Sequence, residues 1–258
     1  MKETTTNADV TGAAPAGASD EKSAAVAVQK MFDEIAGRYD LLNHVLSANV
    51  DRLWWWRTAR KFRHILSQPN AAVLDLCCGT GDMALALRRQ APNAASPYVG
   101  ADFSHQMLRR GAAKFQGNGI IAIEADALQL PLPDSSFDLI VSAFGFRNLA
   151  NYEAGLREIH RVLRPGGEFG ILDFAEPGGL FGKVYAFYFR NILPKIGGLI
   201  SGKSGAYEYL PASVKRFPTP QKMQEEMSAV GFTDVSWTKY TFGIAGLYRG
   251  RKSMSEIR

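Results

Sequence analysis

The side chains that could do chemistry are acidic, and they sit at turns that follow short apolar runs. Asp75-Leu-Cys-Cys-Gly-Thr-Gly-Asp82 comes directly after Ala72-Val-Leu. Gly79 and Gly81 let a backbone approach a ligand closely, and the helix beyond them offers its N-terminal amides. Asp102, 21 residues past Gly81, ends a second apolar run; a carboxylate there can accept hydrogen bonds from both hydroxyls of a ribose. Glu124-Ala-Asp126-Ala127 follows a third run, where a carboxylate can accept from an exocyclic adenine amine. Each feature alone is a tight turn or a solvated acid. Together, in this order and spacing, they describe a site for a nucleoside-bearing cofactor.

The loop also restricts which cofactor. A dinucleotide site needs a third glycine, so that helix and strand can pack around a pyrophosphate. Here Gly79-Thr-Gly81 is followed by Asp82, Met83 and Ala84. Asp75 and Asp82 would repel a pyrophosphate, but they tolerate a cofactor carrying a sulfonium and an ammonium, such as S-adenosylmethionine.

The elements that must hold these residues follow from periodicity. Val28, Met31, Phe32 and Ile35, then Tyr39, Leu42 and Val45, recur at threes and fours and predict a helix from Val26. A basic helix is expected over about 51–66, carrying Trp54, Trp55 and Trp56. Strands are predicted at 72–76, 98–102, 120–123, 137–142 and 168–174, with helices at 83–88, 104–114 and 152–163 between them. Arg164-Pro-Gly-Gly167 reads as a turn, Thr219–Val230 as a late helix, and Val235–Tyr248 as a strand region. Strands alternating with helices at this spacing predict a doubly wound α/β fold on a mostly parallel sheet. Its ligand belongs at the carboxyl ends of the strands.

Length and composition agree. The 258 residues are 46% hydrophobic and 21% charged, enough for one large domain over 26–250 and ordinary for a globular chain. Residues 1–25 are poor in large apolar side chains and are expected to be a disordered tail, with a basic tail at 251–258. No 18-residue apolar run suggests a membrane span. The N-terminus lacks an apolar signal core, and the adjacent Cys77 and Cys78 fit neither a disulfide framework nor a metal site; a cytoplasmic protein without metal is expected. The net charge of +5 is unevenly spread: residues 51–69 carry +4 and residues 181–258 carry +7, whereas 1–50 and 70–180 each carry −3. Basic flanks suit an anionic partner, such as the inner face of a membrane, or are simply solvated surface.

The acid at the first strand end, the glycine loop and Leu163-Arg-Pro-Gly-Gly167 resemble class I S-adenosylmethionine-dependent methyltransferases. Further segments narrow the likeness. Phe32-Asp-Glu-Ile-Ala-Gly-Arg-Tyr-Asp-Leu-Leu-Asn43, Leu46-Ser47, Arg52-Leu-Trp54, Ser142-Ala-Phe-Gly-Phe-Arg-Asn148 and Lys215-Arg-Phe-Pro218 resemble the quinone-biosynthesis C-methyltransferases, which methylate demethylmenaquinol and its ubiquinone-pathway counterpart. The likeness covers about 26–249; the Gly- and aromatic-rich run 183–207 departs from it.

The resemblance implies a seven-stranded sheet, N-terminal helices over 26–66 and a substrate-covering insertion over 175–217. It implies cofactor contacts at Thr80, Asp102, Asp126, Ala127 and Ser142, to which the loop reading adds Asp75, Gly79 and Gly81. It further implies methyl transfer to a ring carbon of a prenylated quinol. For that reaction Arg147 and Asn148 are the catalytic candidates, the guanidinium stabilising the quinolate oxygen electrostatically. Tyr39, Asp40 or His44 could accept the proton. An ion pair of Arg147 with a nearby carboxylate is the structural alternative. His160 reads as structural and His105 as a helix cap. Trp54–Trp56 are read as core or as contacts to lipid or the prenyl tail. The rivals are a methyltransferase for another lipid or small molecule, a nucleic-acid methyltransferase (disfavoured for want of a base-flipping motif), and a non-enzymatic scaffold. A homodimer is left open.

Overall fold

A computed structural model of the chain describes residues 11–15, 17–38, 49–91, 95–96, 98–179, 182, 187 and 205–254, with 205–208 described in backbone only. Helix α1 spans Glu21–Ile35, five residues longer at its start than the periodicity indicated. Asp20 is the reason: its carboxylate accepts from the Ser23 amide at 2.7 Å while the Ser23 hydroxyl accepts from the Asp20 amide, a reciprocal cap. Residues 21–25, expected to belong to a disordered tail, form the first turn of this helix. Gly12 and Ala13 donate backbone hydrogen bonds to the carbonyls of Ala150 and Leu149.

The basic segment forms α2 (Val50–Lys61) and a single turn, α3 (Arg63–Leu66). The alternating unit then runs β1 (Val73–Leu76), α4 (Asp82–Arg88), β2 (Tyr98–Asp102), α5 (His105–Gln116), β3 (Ile120–Glu124), β4 (Phe137–Ala143), α6 (Tyr152–Val162) and β5 (Leu163–Phe174). It closes with α7 (Gly205–Arg216), α8 (Pro220–Ala229), β6 (Phe232–Tyr240) and β7 (Ala245–Lys252). Arg164–Gly167 is not a free turn: it lies within β5, where the register against β4 slips between Phe137 and Leu139. The expected 235–248 region is an antiparallel hairpin of two strands.

The sheet has seven strands in the order β3-β2-β1-β4-β5-β7-β6, parallel except for β7. Alternation sends Leu139, Val141, Leu172 and Leu247 to one face, with Phe62, Leu87 and Phe115. Ile140, Ile171 and Tyr248 go to the other, with Leu156, Ile159 and Met223. The chain leaves β1 toward β2 and β3 but returns to pair β4 on its other side. That reversal opens a crevice at the carboxyl ends of β1 and β4, where a ligand can enter between diverging loops. No described helix is long and apolar enough to cross a membrane.

Candidate active site

The crevice is lined by side chains from four strand ends and one overlying helix. Cys77 and Gly79 come from the loop after β1, Asp102 and Phe103 from the end of β2, Asp126–Leu128 from beyond β3, and Ala143–Gly145 with Asn148–Ala150 from beyond β4. Ala25 and Phe32 of α1 form its roof. The roof is fastened by polar bonds: Gln29 donates to the Phe103 carbonyl at 2.6 Å, and the Ser104 hydroxyl donates to Asp33 at 2.6 Å.

Two residues lining the crevice hold left-handed backbone without being glycine, Cys77 (φ 57°) and Phe144 (φ 58°). Such strain persists only where surrounding structure imposes it. Here the two loops press together: a Cβ on Gly145 would lie 2.3 Å from the Cys77 Cβ, so only glycine fits. Gly81 is fixed likewise, by φ 89° and by the Phe115 ring 2.3 Å from where a Cβ would stand.

Asp102 is the polar centre of the crevice. It is buried, and its oxygens accept from the Gly79 amide at 2.8 Å and the Ser104 amide at 2.9 Å. Burial raises its pKa to about 6, against the lowering effect of those two amides, and the charge of Asp33 adds to the rise. Each oxygen retains a lone pair for a ligand hydroxyl. Asp126 accepts from the Leu128 amide at 2.9 Å and lines the same crevice with Ala127.

The other expected cofactor residues stand one layer back. Asp75 does not line the crevice; it is buried, and its Oδ2 accepts from the Ala84 amide at 2.8 Å, tying the start of α4 to β1. Burial holds its carboxyl well above the usual range, and among the described residues its Oδ1 has no partner. Thr80 is buried beneath the loop and accepts from Lys114 at 3.3 Å, while Lys114 also pairs with Asp82 at 2.9 Å. Ser142 is buried beside the Cys77 thiol and does not line the crevice. These residues shape the loop that lines the crevice.

Arg147 departs from expectation more sharply. Its guanidinium does not face the crevice. Nη1 pairs with Asp173 at 2.9 Å and donates to the Phe144 carbonyl, and its own amide donates to Asp173 at 3.0 Å. The cause is Asp173, wholly buried at the end of β5; desolvation raises its pKa, and Arg147 is the cation that counters the rise. The guanidinium also lies over the Phe174 ring, 5.3 Å from its centre, and its Nε is buried with no partner among the described residues. Asn148 does line the crevice; its amide oxygen accepts from the Tyr209 hydroxyl at 3.2 Å, and burial raises that phenol to about 12. Beside them Trp54, Phe144 and Phe174 form an aromatic cluster with ring centres 4.7–6.1 Å apart. Tyr39, Asp40 and His44 lie outside the described residues, as does most of the 175–217 segment.

The histidines resolve simply. The ring of His160 packs on Phe232, with centres 5.0 Å apart. Ser104, not His105, caps α5, and His105 pairs with Glu124 at 2.9 Å. Sequence reading missed Asp173 and Tyr209, whose partners are 26 and 61 residues away, and the bonds from α1 that close the roof. For Asp173 a signal was present: an acid ending an apolar strand, like Asp75 and Asp102.

A seven-stranded sheet with one antiparallel strand, a glycine loop after β1 and an acid ending β2 define a class I S-adenosylmethionine-dependent methyltransferase fold. Solved structures agree on the fold. A "SAM-dependent methyltransferase, possible histamine N-methyltransferase" from Thermotoga maritima superposes with a TM-score of 0.60 at 17% identity over 88% of this chain and 100% of its own. The [4+2]-cyclase SpnF gives 0.64 at 16% identity over 96% and 99%. Within that class, the chain belongs to the ubiE/COQ5 methyltransferase family, whose pattern it matches over residues 18–252. It is 48% identical over 236 residues to a demethylmenaquinone methyltransferase of Deinococcus radiodurans, covering 90% of this chain and 95% of that one. It is 43% identical to a ubiquinone/menaquinone biosynthesis C-methyltransferase of Geobacter sulfurreducens, covering 88% and 89%.

Proposed function

We propose that the protein transfers a methyl group from S-adenosylmethionine to a ring carbon of a prenylated quinol, most naturally demethylmenaquinol, with the ubiquinone-pathway benzoquinol as the other substrate of the same chemistry. The observation that carries this reading is the crevice itself. A buried carboxylate with free lone pairs stands at the end of β2, an acid and an apolar surface follow at Asp126–Leu128, and an aromatic cluster adjoins the far end at Phe144.

These residues fit the cofactor. Asp102 would hold the ribose hydroxyls, Asp126 the adenine amine, and the amides around Gly79 the amino-acid portion, while the acids around the loop favour its cationic groups. When bound, S-adenosylmethionine supplies an activated methyl group on a sulfonium. The chain must bring a ring carbon into line with that methyl and favour the ionised quinol, whose negative charge makes the carbon nucleophilic. Phe144, Phe174 and Trp54 would seat the ring. Arg147, held by Asp173 beside Phe174, would set a positive field at the quinolate oxygen from behind the crevice wall; Asn148, which lines the crevice, would add an amide contact. The quinol hydroxyl proton would pass to Tyr39, Asp40 or His44, and the hydrogen of the methylated ring carbon would then leave as a proton, restoring the aromatic quinol. The α1 roof would exclude water.

The test is chemical. A strain lacking this chain should accumulate the demethylated quinone, identified by mass spectrometry of its lipid extract, and the wild-type chain should restore the methylated form. A lipid extract with a normal quinone content would refute the reading.

A further inference from the structure

The outward face of α2 combines cationic and large apolar side chains. Helical geometry brings Arg52, Leu53, Trp56, Arg57 and Arg60 to one side, and all five are exposed. Leu53 is 48% and Trp56 46% accessible, high values for large apolar side chains. The only acid of α2, Asp51, is buried on the opposite side, so this face carries three arginines and no carboxylate. Arg60 lies over the Trp56 ring, 4.7 Å from its centre, so charge and apolar surface occupy one patch.

The patch extends to the β6–β7 turn. Trp54 Nε1 donates to the Thr241 hydroxyl at 2.8 Å, and Arg57 lies 4.6 Å over the Tyr240 ring; both contacts fasten the turn against α2. The turn presents Phe242, 83% exposed and in left-handed backbone (φ 57°). On its other side the patch runs into a groove lined by Arg52, Trp55, Trp56, Arg89 and the Lys114–Asp82 pair. Directly beneath lies Trp54, whose ring meets Phe144 and Phe174 at the crevice.

We infer that the α2 face and the Phe242 turn form the surface on which the protein docks to an anionic bilayer. Arginines would meet lipid phosphates, and Leu53, Trp56 and Phe242 would enter the boundary between headgroups and acyl chains. Charge complementarity selects this occupant, since a second copy of the same cationic face would repel. The orientation places the aromatic cluster on the inner side of the docking helix, where Trp54 meets Phe144 and Phe174. An apolar substrate could then pass from bilayer to crevice along Trp54 without crossing water. That route rests on the quinol reading; the docking surface does not.

The test uses the whole chain and vesicles of phosphatidylcholine with or without phosphatidylglycerol. Flotation should show binding to the anionic vesicles that falls as salt rises, with little binding to neutral ones. Arg52→Ser/Arg60→Ser should weaken anionic binding by about tenfold or more, and Leu53→Ser/Trp56→Ser by a similar factor. Both should keep wild-type cofactor affinity and thermal midpoint. Variants that float like the wild type would overturn the inference. So would a chain that ignores vesicles but sediments as a dimer dissociated by Leu53→Ser/Trp56→Ser. Methylation of a short-tailed quinol in free solution separates the two claims: its absence defeats the quinol reading and leaves flotation to decide the surface.

Discussion

The two ends of the sheet use carboxylates in opposite ways. At the amino-terminal end, Glu168 is buried but meets His64 at 3.0 Å, Arg249 at 3.0 Å and Arg251 at 2.7 Å. Burial pushes its pKa up, yet those partners more than reverse the push and leave it low. Glu158 is also held low, chiefly by Arg161, which reaches across to Asp134 and to the carbonyls of Leu130 and Leu132. At the carboxyl-terminal end, Asp75, Asp102 and Asp173 are all raised by desolvation, and Arg147 is the one cation paired with any of them among the described residues. One end pairs its buried carboxylates with cations of the protein itself. The other keeps buried carboxyls raised by desolvation, only Asp173 of them paired with a cation among the described residues, and spare hydrogen-bonding capacity, as a binding site requires.

This contrast can be broken first at Arg147. Arg147→Gln leaves Asp173 buried without its cation and should cost about 3–5 kcal/mol of stability. It should also slow methyl transfer by roughly a hundredfold. Adding Asp173→Asn should restore most of the stability, read from denaturant unfolding, while turnover stays low. Recovery of both would make the pair purely structural.

At the opposite end, Glu168→Ala should cost about 2–4 kcal/mol, less than a sealed pair because Arg251 and His64 reach solvent. Cofactor affinity measured by calorimetry should stay within twofold of wild type. A loss of affinity without a loss of stability would erase the distinction between the two ends.

Asp102→Ala should weaken S-adenosylmethionine binding by about tenfold or more, since each charge-assisted bond is worth roughly 1.5–3 kcal/mol. The fold should persist, because the substitution also removes a costly buried charge. Calorimetry on the folded variant with unchanged affinity would remove Asp102 from the site.

The smallest effect is a pH dependence. Asp102 titrates near 6 without ligand, and a ligand that donates to its ionised form must lower that value. Affinity should therefore be full above pH 6 and decline as pH falls through it, with protons released on binding near pH 5.5. Because the native value lies above the ordinary one, this group makes the cofactor-free fold less stable as pH rises from about 4 through about 6. Buffer-dependent binding enthalpies at two pH values check the proton release.

What could be read from the sequence was what repeats locally. Gly79, Gly81, Asp102 and Asp126 follow apolar runs whose period announces strands, and the structure brings all but Gly81 to the crevice lining. Arg147 and Asn148 were found as a motif, but the direction of the guanidinium depends on Asp173, a partner supplied by the next strand over. Asp75 looked like a ligand residue because its type and place were right; only the α4 amide above it shows that it secures the loop. The early start of α1 lay in a cap of polar residues, which an apolar period cannot register. The slipped register of β5 was hidden because Pro165, Gly166 and Gly167 signal a turn whether or not a strand runs through them.

The most direct test of the account is methyl transfer by the purified chain, with S-adenosylmethionine labelled on its methyl carbon and a short-tailed demethylmenaquinol kept reduced. The expected product is a methylated quinol with the label on a ring carbon, located by carbon NMR and formed at a rate that falls in Asp102→Ala and Arg147→Gln. Label on a ring oxygen, or no transfer by a folded chain that binds the cofactor, would contradict it.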